Sequence, residues 1–176
     1  MKYLVKFFVV TFFLLVCTYT STFAEQKIVV LDLKFVLNES KAGKDAQVFL
    51  KKSFKDNQKK FQDMEKGLKK EENDLLQKKT ILSKEEYQQK TDNLRKKVID
   101  YTSRRRAALD KIATQRSESR ETLIKTINPI IDVYIKENNI SFVIDKKNMI
   151  AGTNDYDITQ FIVERLNKQL PSLNLK

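Results

Sequence analysis

The side chains here that could do chemistry are carboxylates, lysines and arginines. The 176-residue chain has no histidine and a single cysteine, Cys17. It therefore lacks the commonest general base and the commonest metal ligand. Gly43-Lys44 is the one glycine-lysine step, but it does not make a phosphate loop. Asn38 stands where such a loop needs its first glycine, and Asp45 where it needs Ser or Thr. This residue set reads as a protein that binds and does not catalyse, with no cofactor and no metal.

What it binds is indicated by where the charge sits. Between Lys41 and Ile127 there are 24 Lys and Arg against 14 Asp and Glu, a net of +10. Residues 25–40 and 128–176 together carry 8 against 9. A basic middle segment attracts polyanions: nucleic acid, anionic lipid headgroups or acidic proteins. Within it, the stretch FKDNQKKFQDMEKGLKKEENDLL places Phe54, Phe61, Leu68 and Leu75 seven residues apart among charged neighbours. A stripe that narrow has to be covered by something.

The elements that would position these groups follow from local rules. Residues 1–24 read as a cleavable secretory signal peptide: a basic MKYLVK, the apolar FFVVTFFLLVCTY, and small residues before Glu25. Cys17 falls inside it, and Val16 is too bulky for a lipoprotein signal. The mature chain of 152 residues would have no cysteine, so packing or oligomerisation must hold it together. KIVVLD, from Lys27, reads as a buried strand, and Asp32 as the N-cap of a short helix over 33–38. A long helix is predicted from about Lys44 to Lys79. Ser83-Lys84-Glu85-Glu86 is a capping box that opens a second helix, kinked at Pro129 and running to about Asn138. Ile140 to Ile144 reads as a strand, and Met149 to Ala151 as its hairpin partner across the turn at Asp145–Asn148. A second capping box, Asp157-Ile158-Thr159-Gln160, opens an amphipathic helix that stops at Pro171.

Folding the two long helices back on each other covers the stripe. Phe54 with Ala108, Phe61 with Tyr101, Leu68 with Leu94 and Leu75 with Tyr87 have position numbers summing to 162. So do Leu50 with Ile112 and Met64 with Val98, and the implied pivot, Ile81, lies just before the capping box. The expected fold class is α+β and mostly helical: a coiled-coil-like antiparallel hairpin arm over 44–127, projecting from a small β-rich body of 25–43 and 128–176. Asn57 opposite Arg105 and Glu71 opposite Thr91 are expected as polar layers of the seam. The body is too small for a robust core of its own, which predicts that it oligomerises.

Four segments carry a family resemblance: KIVVLDLKFVLNESKAGKDAQ after the leader, the lysine-rich helical hairpin, ISFVIDKKNMI, and the closing DITQFIVERLN. In order and spacing they resemble the Skp/OmpH-like periplasmic chaperones over essentially the whole mature length. The resemblance implies a jellyfish-shaped homotrimer whose arms enclose a cavity. It also implies ATP-independent holding of unfolded outer-membrane β-barrel proteins in the periplasm. Client contact is expected along the arm and at its tip, at Met64, Leu76, Lys78, Lys79, Ile81 and Leu82. Arg104, Arg105 and Arg106 join them as candidates for the lipopolysaccharide site proposed for the family, or for another anionic lipid. Ile28, Val30, Phe142 and Ile144 are expected in the trimer-forming body. A structural adaptor of the envelope is one alternative. A nucleic-acid-binding protein is another, disfavoured because Phe54, Phe61, Tyr87 and Tyr101 lie on the seam and the leader exports the chain.

Overall fold

The computed structural model describes Tyr3 and residues 26–176, so apart from Tyr3 the leader read at 1–24 lies outside the described residues. The elements run β1 (Lys27–Leu31), α1 (Leu33–Glu39), α2 (Lys41–Gln77), α3 (Lys84–Asn138), β2 (Ile140–Asp145) and α4 (Thr159–Gln169). Short 3₁₀ turns at Lys146–Asn148 and Asn154–Tyr156 separate the last two.

Caps set the helix boundaries. The Asp32 carboxylate accepts the Phe35 N–H at 2.7 Å and opens α1. Ser40 is extended, with φ −60° and ψ 154°, and its hydroxyl accepts the Gly43 N–H at 3.2 Å. One residue thus ends α1 and starts α2, a few residues ahead of the boundary that propensity suggests. Gly43 is required at this turn, because a Cβ there would run into the Leu37 carbonyl oxygen. The Ser83–Glu86 capping box is complete: the Ser83 hydroxyl accepts the Glu86 N–H at 3.2 Å, and the Glu86 carboxylate accepts the Ser83 N–H at 3.1 Å. Helix α3 then passes through Pro129 and ends at Asn139, which adopts the left-handed conformation. Leu123 and Ile127 before the proline and Ile130 after it are buried in one cluster, which offsets the missing backbone hydrogen bond.

The sheet departs from the expected hairpin. β2 pairs in parallel with β1, setting Ile28 beside Phe142, Val29 beside Val143 and Val30 beside Ile144. Met149 to Ala151 forms no strand. Parallel neighbours need a long crossover, and the whole helical excursion from α1 to α3 supplies it. On the other edge of β1 the Val30 carbonyl accepts the Ile158 N–H at 2.9 Å, so β1 lies in the middle.

Helix α4 also begins differently from the capping-box reading. The Asp157 N–H donates to the Asn154 carbonyl and is unavailable for a reciprocal bond to Gln160. Its carboxylate accepts the Thr159 N–H at 2.9 Å and pairs with the Lys146 ammonium at 2.6 Å. The N-cap position falls on Ile158.

One core joins these pieces: Val29 and Leu31 of β1, Val36 of α1, Ala42 of α2, Leu123, Ile127 and Ile130 of α3, and Ile158, Ile162, Val163 and Leu166 at α4. Past the turns that meet α1 through Lys44–Glu39 and Gln47–Asn38, α2 packs along α3. At 37 residues it is about 55 Å long.

Candidate client-binding surface

The hairpin places its seam residues unequally. The Phe61 and Tyr101 rings meet edge-on with centroids 6.0 Å apart. Phe61, Leu75, Leu50 and Ile112 are buried, while Leu68, Leu94, Tyr87, Tyr101 and Met64 are half-buried. Two assignments need correcting: Phe54 and Val98 remain 48% and 43% exposed. Opposite Phe54 the register puts Ala108, whose methyl group cannot cover a phenyl ring. Opposite Val98 the register puts Met64, itself half-buried. The polar layers do not pair as expected either. The Asn57 amide donates to the Ser53 carbonyl at 2.9 Å and the Thr91 hydroxyl to the Tyr87 carbonyl at 2.8 Å, each within its own helix. A salt bridge between the helices runs from Lys97 to Glu71 at 2.6 Å.

The arm therefore offers apolar groups to solvent between its charges: Val48, Phe54, Leu76, Val98, Ile99 and Leu109. At the tip Ile81 is 81% exposed, Leu82 is half-buried, and Lys78 and Lys79 stand in solvent. Neither lysine has a carboxylate in salt-bridge reach among the described residues. Val48, Ile99 and Leu109 escaped the sequence reading because heptad spacing selects the covered stripe and is silent about residues off it.

Arg104, Arg105 and Arg106 do not converge on one anion. Successive helical residues point about 100° apart, and two of the three are matched to a carboxylate of their own helix. Arg104 reaches Asp100 at 2.9 Å and Arg106 approaches Asp110 at 3.9 Å. Arg105 acts on Glu65 of α2 through its charge, while the salt-bridge partner of Glu65 is Lys69 at 2.8 Å. The Glu65 carboxyl is held below its usual range by the Lys69 hydrogen bond and charge, with Arg105 and Tyr101 adding to it.

In the body, the open face of the sheet carries Ile28, Phe142 and Ile144, with Phe142 57% exposed. Val30 shares their side of the pleat but is buried, at the end of β1 where the 154–158 segment bridges to its edge. The opposite face, with Val29, Leu31 and Val143, belongs to the core. The sheet is thus apolar on both faces and covered on one.

Residues 27–166 match the family model described as outer membrane protein, OmpH-like, and the match spans strand, arm and closing helix together. The chain belongs to the OmpH-like family. A Skp-like protein of Pseudomonas aeruginosa PAO1 is 24% identical over 148 residues, covering 84% of this chain and 88% of that protein. A crystal structure of an OmpH-like protein from Caulobacter crescentus CB15, proposed to be an outer membrane chaperone, superposes with a TM-score of 0.77 at 16% identity. That match covers 87% of this chain and 90% of the other, and it extends the likeness to the fold. Among the described residues, no cluster of acidic or sulfur side chains that could hold a metal ion is present, and no helix is long and apolar enough to cross a membrane.

Proposed function

We propose that this OmpH-like chain is a periplasmic, ATP-independent holdase that keeps unfolded outer-membrane β-barrel proteins from aggregating. The observation that carries the reading is the arm: a long cationic hairpin with isolated apolar side chains exposed along its length. Such a surface makes many weak, adaptable contacts, which suits a client without fixed shape. Its net positive charge draws acidic clients and discourages them from meeting one another. In this reading residues 1–24 export the chain.

The working assembly is a homotrimer joined through the open face of the sheet. Ile28, Phe142 and Ile144 are then covered by neighbouring copies, and three arms surround a common cavity. An envelope adaptor would instead bind one defined partner.

The test is dilution of a denatured outer-membrane β-barrel protein, with and without the chain, at low and high salt. Suppression of light scattering at a threefold molar excess of chain, weaker at high salt, is expected. No suppression at either salt level would overturn the proposal. Light scattering of the chain alone should report three copies at micromolar concentration, and Phe142→Asp should give single ones.

A further inference from the structure

Where the arm leaves the body, helices α1, α2 and α3 enclose a cleft of about 770 Å³. That volume lies within the roughly 300–1,000 Å³ of small-molecule sites. Its floor is apolar, from Leu33, Leu37, Ala46, Leu50 and Leu123. Its rim is cationic. Lys34 comes from α1, Lys51 from α2, and Arg116 and Arg120 from adjacent turns of α3. None of these four has a carboxylate in salt-bridge reach among the described residues. The remaining charges of the lining, Lys147 and Asp145, pair with each other at 3.2 Å. Elsewhere on the arm the arginines at 95, 104 and 106 are matched to acids of their own helix.

From the apolar floor beneath unmatched cations, we infer that this cleft binds a single-chain anionic amphiphile, a fatty-acid carboxylate. The acyl chain lies along the leucines and the carboxylate meets the Arg116 and Arg120 guanidinium groups, which sit at i and i+4 on one face of α3. Inorganic phosphate has nothing to place on the floor, and a neutral alcohol leaves the rim unpaired. The inference does not depend on the holdase reading, since the cleft is complete within one chain.

The test is calorimetric titration of the full mature chain with hexanoate, octanoate and decanoate, all below their micellar concentrations, and with decanol and inorganic phosphate. One site per chain is expected, with affinity rising up to about fourfold for each methylene that reaches the floor. Decanoate should bind at least about tenfold tighter than decanol. Arg116→Gln with Arg120→Gln should remove that advantage, whereas Arg104→Gln with Arg106→Gln, an equal change in net charge, should leave it intact. Circular dichroism of both double variants checks that the helices persist. Equal affinity for decanoate and decanol, no dependence on chain length, or equal losses in the two double variants would overturn the inference. So would an acidic apolar peptide that binds the cleft while decanoate does not.

Discussion

Phe61 on α2 and Tyr101 on α3 meet edge to face, centroids 6.0 Å apart and planes at 71°, and so set the register of the arm. Phe61 is 6% exposed in a hairpin with little else buried around it. Phe61→Ala should cost about 3 kcal/mol or more, as loss of a buried phenyl ring does. Combined with Tyr101→Ala, a double-mutant cycle should show coupling of about 0.5–1.5 kcal/mol. Strict additivity of the two losses in urea denaturation would refute the pairing.

The tip depends on a smaller device. Ser83→Ala removes the acceptor for the Glu86 N–H and the partner of the Glu86 carboxylate, which Ser83 holds below its usual range through its hydroxyl and its N–H. A loss of about 1 kcal/mol is expected. Amide hydrogen exchange should place it at the start of α3, with the body unaffected.

Two glycines of α2 should respond in opposite directions. A Cβ at Gly67 meets nothing within 4 Å, so Gly67→Ala should stabilise the arm by about 0.5–1 kcal/mol through helix propensity alone. At Gly43 the new methyl group strikes the Leu37 carbonyl, and Gly43→Ala should destabilise by about 1–3 kcal/mol. Thermal unfolding of both variants decides it. Equal shifts would mean that α1 and α2 do not approach as closely as described.

The response to pH should be flat across the neutral range, because the chain has no histidine. Asp157 governs part of the acid limb. Burial raises its pKa, but bonds from Lys146 and Thr159 outweigh that and leave it lowered. A depressed carboxylate contributes stability that is complete above its unfolded pKa, about 3.9, and disappears as pH falls through the lower folded value. The Lys146 pKa is raised by the same partner, so its contribution is lost only at alkaline pH, as the ammonium deprotonates. Asp157→Asn should therefore lower the melting temperature at pH 7, and the gap from the parent protein should close below about pH 4. A gap independent of pH would show that the charge of Asp157 is immaterial.

Client contact at the tip can be separated from folding. Ile81 and Leu76 are exposed and outside the seam, so Ile81→Ser with Leu76→Ser should change stability by no more than about 0.5 kcal/mol. Suppression of client aggregation should then need several-fold more chain. Unchanged suppression would remove the tip from the client surface.

What could be read from residues alone is what neighbours in sequence decide. The Ser83–Glu86 box, the Asp32 cap, the heptads of α2 and the return of α3 all rest on hydrogen bonds or spacings within a few turns. Even the hairpin register was legible, because two helices joined by a short turn have few ways to bury one stripe. The failures share a cause as well. Whether Ile140–Asp145 pairs with Met149–Ala151 or with Lys27–Leu31 depends on a segment over a hundred residues away, and alternation of apolar residues looks the same in both cases. The burial of Val30 beside the exposed Ile28, and the exposure of Phe54 opposite Ala108, turn on what happens to lie across from each side chain. The cleft has no local signature at all, since its four leucines and one alanine and its four unmatched cations come from three helices that only the packing of α1, α2 and α3 brings together. Local backbone chemistry determined the elements; long-range packing decided which surfaces they leave open.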